Sequence, residues 1–366
     1  MKKYITLLLS ALAFLVMILD AQTAISGAKE GLSLCIHTVI PSLFPFFVLS
    51  SLLTSALSAF HFQVLRPLGM LCRIPRGSES LLILGLLGGY PSGAQNIAQC
   101  YAAGALSKKD ARRMLGFCSN AGPAFLFGIV ASQFPTVYYA WALWAIHISS
   151  AILTGMLVSG KAHCEGTVIR GKQLSLPDAL PVALQGTARV CGWVILFRVL
   201  TGFLAKWTEL FLPSSVFTVI SGLMELSIGC CNLKMIDNMG QRFVICAVLL
   251  GFGGLCVMMQ TASVTGELGL GAYIPGKILQ AALSFQLAYQ VQLFLLPSQM
   301  RMHLPLWVIF GIWFSLLTVK ITVAIRRIMM YNPNKSRNKR FCLCFSAKTS
   351  PKPATTAPMA PAMRRA

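Results

Sequence analysis

Acidic side chains are scarce in this chain. Asp and Glu together number ten in 366 residues, too few and too scattered for the paired carboxylates of general acid–base hydrolysis. Histidine is rarer still, at five, and no HExxH pair occurs. A Walker A loop and a G-x-S-x-G elbow are also missing. These absences exclude an ATP-driven pump built into this one chain. Ser92 and Cys118 are the candidate nucleophiles, and neither has a base beside it in sequence. The chain is therefore read as a non-enzyme. It is read as needing no cofactor and no metal, because Cys230–Cys231 and Cys342-x-Cys344 lack a second pair at zinc spacing.

Charge of either sign is sparse, at 11% of residues, while 56% are hydrophobic. A soluble domain carries about 25% charged residues, so the composition is that of a polytopic membrane protein whose first partner is the lipid bilayer. The net charge of +21 does not point to nucleic acid, because the cations collect in a few loops and in the tail, as in cytoplasmic segments. Most of the twelve cysteines sit in apolar runs and act as small hydrophobes. Cys342 and Cys344, beside basic residues, are candidate palmitoylation sites.

Tyr4–Leu19 follows two lysines and reads as a first span with its N-terminus inside, a signal peptide being the alternative. Gly31–Phe60 exceeds one span of about 20 residues. Pro41 and Pro45 are expected to split it into an interfacial half bearing His37 and a span after Pro41. Val137–Val158 is a cleaner span with aromatic residues near its start and His147 inside.

The stretch LLILGLLGGYPSGAQNIAQ, Leu81–Gln99, is apolar at both ends and broken in the middle. Gly88, Gly89, Pro91 and Gly93 interrupt any regular helix, and Ser92, Gln95 and Asn96 follow at once. Broken backbone at membrane depth must be buried in protein or line a wet cavity, and such segments point to transporter binding sites. Arg66, Arg73 and Arg76 precede the stretch, and Lys108, Lys109, Arg112 and Arg113 follow it. Both flanks read as cytoplasmic, which predicts a re-entrant hairpin with its tip near Gly88–Gly93. A second break, Ser119-Asn120-Ala121-Gly122-Pro123, comes next.

The second half echoes the first. Val182–Leu204 resembles Gly31–Leu53, and Gly253-Gly254 precedes Gln260 much as Gly88-Gly89 precedes Gln95. This predicts a two-fold repeat. Glu225 is the one acid well inside an apolar run, with Arg189 and Arg198 as candidate ion-pair partners or, together with it, as an ion-coupling group. Lys277–Leu296 carries Gln280, Gln286, Gln290 and Gln292, so it is a poor lipid-facing helix. Leu304–Ile325 is the last apolar run. The tail is basic, then rich in Pro, Ala and Thr, which suits disorder and contact with anionic lipid. A strict inverted repeat tends to leave that tail outside, whereas its charge favours the cytoplasm, so the topology of the second half stays open.

Four runs carry a family resemblance: IPSLFPFFVLS from Ile40, GGYPSGAQ from Gly88, SNAGPAFLFG from Ser119 and FGGLCVMMQ from Phe252. They resemble the YlbJ-type sporulation integral membrane proteins, which carry a nucleoside-recognition (Gate) domain. That family is in turn similar to the spore maturation membrane proteins and to the gate regions of ferrous-iron and concentrative nucleoside transporters. The resemblance runs from about Gly31 to about Leu296. It departs at Gln95, where a basic residue is expected, and after Asn120, where a second Asn before the proline is missing. The long tail is no feature of the family. The resemblance implies a role in endospore and cortex formation and leaves the solute unnamed.

The fold expected is an all-α polytopic membrane protein of about eight to ten membrane segments, with two Gly/Pro-broken re-entrant hairpins in a two-fold internal repeat. Residues 1–30 form an N-terminal transmembrane anchor, 31–160 a first Gate-like repeat, 161–180 a cytoplasmic loop, 181–327 a second Gate-like repeat and 328–366 a basic cytoplasmic tail. The function expected is a permease-like carrier of a small polar solute, a nucleoside-like one among the candidates, in a bacterial inner membrane, in the mother cell or forespore. The alternative is a membrane scaffold that recruits cortex enzymes. Gly88, Gly89, Tyr90, Pro91, Ser92 and Gln95 are expected to line one side of the solute site, and Asn120, Gly253, Gly254 and Gln260 the other.

Overall fold

Proline at 41 and 45 does not break the chain. In the computed structural model, α1 (Lys2–Leu19) leads to α2 (Ala21–Leu34), a π-helical turn (Cys35–Val39) and α3 (Ile40–Ser58). The last three are continuous, and Ala21–Leu53 forms one long apolar helix. The expected split at Pro41 is thus corrected. The wider turn just before Pro41, closed by Ile40 N–H on the Cys35 carbonyl, relieves the clash a proline ring makes with the preceding turn. The Ser42 hydroxyl then donates to the Thr38 carbonyl at 2.6 Å, the kind of side-chain repair that lets apolar helices carry proline.

The structure describes residues 2–58, 63–158, 174–208, 211–297 and 301–302, and all the elements below belong to one unit. The remaining first-half elements are α4 (Arg66–Leu71), α5 (Ser80–Leu87), α6 (Ser92–Ala102), α7 (Lys108–Leu115), α8 (Pro123–Phe125, continuing as a π-helical turn to Val130) and α9 (Val137–Leu157). The second half has α10 (Leu176–Thr208), α11 (Ser214–Met224), α12 (Leu226–Cys231), α13 (Met239–Phe252), α14 (Gly254–Thr265) and α15 (Tyr273–Leu295). No strand occurs among the described residues. Among the described residues five helical runs are long and apolar enough to cross a membrane: Ala21–Leu53, Val137–Leu157, Leu176–Thr208, Met239–Leu268 and Tyr273–Leu295. Leu304–Ile325, Cys342, Cys344, most of the 161–180 loop and the basic tail lie outside the described residues.

The two longest helical runs pack on each other. Gly27 and Gly31 form a G-x-x-x-G face on α2, where a Cβ would come within 2.9 Å of the Val199 and Ile195 Cα atoms of α10. Apolar side chains gain nothing from leaving water when the alternative is lipid, so small residues that admit close backbone approach carry such contacts. Two ion pairs reinforce the seam, Arg198 with Glu30 and Lys206 with Asp20 at 2.6 Å.

Between the long helices lie short ones. α5 and α6 have 8 and 11 residues, about 12 and 17 Å of helix, against a hydrocarbon core of about 30 Å. They meet at Gly85 and Gly93, where added Cβ atoms would sit 1.9 and 2.3 Å from the Cys118 carbonyl oxygen. The short pair α11 and α12 meets in the same manner at Gly222 and Gly229, where a Cβ on Gly229 would fall 2.1 Å from the Gly222 Cα. In both pairs the glycines bracket a break, Gly88–Pro91 in the first and Glu225 in the second.

Candidate functional site

The two breaks converge. A cavity of about 540 Å³, counting its open mouth, lies between them. Gly88, Gly89 and Tyr90 contribute from the first break, and Glu225 and Ser227 from the second. Gly122 of the break before α8 and Gln260 of α14 add to the wall, and Phe46 and Phe47 of α3 line another side. The cavity is mostly apolar with a few convergent polar groups, which is the usual make-up of a small-molecule site.

Glu225 is its one acidic lining residue. It is 2% exposed and extended at φ −138°, and its Oε2 accepts from the Ile228 N–H at 2.7 Å. The sequence offered Arg189 and Arg198 as its partners. Arg198 instead pairs with Glu30, because its place on α10 faces α2, and Arg189 is half-buried on the same helix. One Glu225 oxygen is thus held by backbone, while the side chain lines the cavity.

Of the ten residues expected to bind solute, Gly88, Gly89, Tyr90 and Gln260 line the cavity. Ser92 turns back to donate to the Gly89 carbonyl at 2.8 Å and holds the break in shape, with Pro91 buried at the head of α6. Gln95 lies on α6, half-buried, and is not part of the wall. Gly253 stands at φ +83°, with room for a Cβ only 3.1 Å from the Tyr90 hydroxyl. Gly254 abuts the Gly222 carbonyl, a Cβ there falling 3.2 Å away. These two glycines shape the site by letting α13–α14 approach both breaks, and they do not face its interior.

Asn120 is buried behind the wall, in a polar cluster that sequence reasoning missed. At its centre is Lys277, fully buried in the second turn of α15. Its Nζ donates to the Tyr90 hydroxyl at 3.1 Å, to Asn120 Oδ1 at 3.2 Å and to Gln280 Oε1 at 2.7 Å. Gln280 Nε2 also donates to Asn120 Oδ1, at 2.9 Å, and Asn120 Nδ2 donates to the Phe117 carbonyl at 2.7 Å. Next to it, His147 Nε2 accepts from the Ala121 N–H at 3.1 Å. The Lys277 side-chain nitrogen therefore meets three oxygen acceptors, and all three are neutral. The available signal was a lone lysine at the head of an apolar run with glutamine three residues on, which is one helical face. Of the four glutamines on α15, Gln280, Gln286 and Gln292 are buried and Gln290 is exposed, in keeping with a helix that faces protein.

Among the described residues no three His, Cys, Asp or Glu side chains come together as a metal site. Among the described residues seven cysteines, Cys35, Cys72, Cys118, Cys191, Cys230, Cys246 and Cys256, are buried and free.

The chain is similar to a curated relative, the sporulation integral membrane protein YlbJ of Bacillus subtilis (strain 168), with 27% identity over 297 aligned residues that cover 67% of this chain and 71% of that protein. No family model matches the chain. No solved structure matches it. The relative's description and the five long apolar helices agree on a membrane protein.

Proposed function

We propose that this chain is a multi-pass, permease-like protein of a bacterial cell membrane that binds a small polar solute between two broken-helix hairpins and serves spore formation. The observation that carries the reading is the convergence of two helix breaks, Gly88–Tyr90 and Glu225–Ser227, on one cavity. Broken segments in corresponding halves, meeting at a site, are the hallmark of transporters built from repeats. The solute suited to this lining has hydrogen-bond donors for Glu225 and both kinds of partner for Gln260. The sporulation role rests on the description of the relative.

Element order supports a repeat, in a register other than the one the sequence suggested. Long helix, short broken pair, broken helix and final helix recur as α2–α3, α5/α6, α7–α8, α9 and then as α10, α11/α12, α13–α14, α15. In this register the partner of Gly88–Gly89 is Glu225, and the partner of Asn120–Pro123 is Gly253. Three crossings per half invert the second half relative to the first, as in inverted-repeat carriers. Starting from an inside N-terminus, α1 and α2–α3 bring the first hairpin to the cytoplasmic side, beside its flanking cations. The second hairpin then falls on the outer side.

The test is a thermal-stability screen of the purified full-length protein in detergent against nucleosides, nucleobases, amino acids and sugars. A ligand that binds only the native state raises apparent stability by mass action. The expected result is one responding class, taken up by vesicles that contain the protein. A blank screen and no uptake in folded protein overturn the reading in favour of a scaffold, whose signature is loss of partner recruitment when residues after Met330 are removed.

A further inference from the structure

We infer that Lys277 is a tethered monovalent cation: its ammonium fills a cage of neutral oxygens, from Tyr90, Asn120 and Gln280, that accepts a free small cation once the side chain is taken away. The inference does not rest on the solute reading: it concerns the cluster behind the cavity wall, which shares only Tyr90 with the cavity.

The cage has the chemistry of a cation site. Its three oxygens lie 3.1, 3.2 and 2.7 Å from Nζ. The faces of two aromatic rings add to it, with Nζ 5.1 Å from the Tyr90 centroid and 5.9 Å from that of Tyr273, within the range of cation–π attraction. No carboxylate is among its partners. Divalent ions call for carboxylates, whereas rings of neutral oxygens suit monovalent ions. The distances are those of N–H···O bonds, so ammonium is the best-fitting free ion, with potassium next and the smaller sodium behind.

The oxygens also come from three separate segments. Tyr90 belongs to the break between α5 and α6, Asn120 to the break before α8, and Gln280 to α15. Any motion of either break away from α15 must pull an oxygen off the charge, and charge-assisted bonds are about twice as strong as neutral ones. A free ion at this point would make the arrangement depend on the ion's concentration. An ion fixed to α15 by a covalent chain makes it independent of sodium and potassium gradients.

The experiment measures melting temperature of the full-length protein in detergent in chloride salts of choline, sodium, potassium, ammonium and methylammonium at one ionic strength. Wild type is expected to melt alike in all five. Lys277→Ala is expected to gain a saturable rise of about 3 °C or more in ammonium, methylammonium or potassium over choline. Lys277→Met, whose chain fills the cage, is expected not to respond, and adding Gln280→Leu to Lys277→Ala is expected to abolish the response. If Lys277→Ala is too unstable to melt, recovery of monodisperse protein in each salt replaces the melting temperature. No difference among the salts in Lys277→Ala by either readout overturns the inference, as does an equal response in Lys277→Met.

Discussion

Lys277 donates to the hydroxyl of Tyr90 at 3.1 Å, across 187 positions of sequence. The Tyr90 ring is at the same time part of the cavity wall. One side chain therefore joins the buried Lys277 of α15 to the wall of the cavity. Tyr90→Phe separates the two roles, since it keeps the ring and removes the oxygen. The ammonium then has three donors and two acceptors, a loss of about 2 kcal/mol. Thermal unfolding in detergent measures the loss, and ligand-induced stabilisation by a solute that packs on the ring is expected to persist.

The crossing of α5 and α6 tolerates no side chain. Gly85→Ala or Gly93→Ala drives a methyl group into the Cys118 carbonyl, where the obstacle is backbone and cannot rotate away. Each change is expected to cost about 3 kcal/mol or more, seen as a sharp loss of monodisperse protein. Gly192→Ala is the matching control. Nothing lies within 4 Å of its Cβ position, and the helix interior should gain about 0.5–1 kcal/mol.

Gln260 and Gln95 separate the cavity from its surroundings. Gln260 is 3% exposed and lines the wall, whereas Gln95 does not. For a solute that stabilises the wild type, Gln260→Ala is expected to weaken the response by about tenfold, the loss of one or two buried hydrogen bonds. Gln95→Ala is expected to leave it within about twofold. Titration of the melting temperature with solute measures both, and a larger effect at Gln95 would move the site off the cavity.

Asp20, between α1 and α2, is held below the ordinary carboxylate range by the Lys206 ammonium, with further help from Thr23. A lowered native value means the contribution is fully present above the unfolded value. It is lost as pH falls through the native one. Asp20→Asn should therefore differ from wild type near neutral pH, and the difference should vanish on acidification from about pH 6 to about pH 3. Melting curves of the two proteins across that window decide it. A difference that persists in acid would remove Lys206–Asp20 from the α2–α10 seam.

Much of the fold was legible because lipid imposes simple rules. Long apolar runs must be helices, and Gly88–Pro91 and Asn120–Pro123 announced breaks that a helix cannot hide. Pro41 misled, because a π-helical turn one step earlier absorbed it. That accommodation depends on local backbone geometry that no composition reports. The G-x-x-x-G of Gly27 and Gly31 was readable and went unread. Under the repeat proposed above, Glu225 takes the place of Gly88–Gly89, a correspondence that residue type hides because Gly253–Gly254 looks more like the first pair.

The sequence by itself determined that the chain is helical, apolar and interrupted at particular glycines and prolines. Those properties are local: hydrogen bonds within a segment, the missing Cβ of glycine and the missing N–H of proline. Only the tertiary structure decided that Arg198 pairs with Glu30, that Gln95 is not among the residues lining the cavity, and that Lys277 is enclosed by Tyr90, Asn120 and Gln280. A charge buried among neutral oxygens leaves no periodic trace in sequence, because its partners come from three segments that only packing brings together.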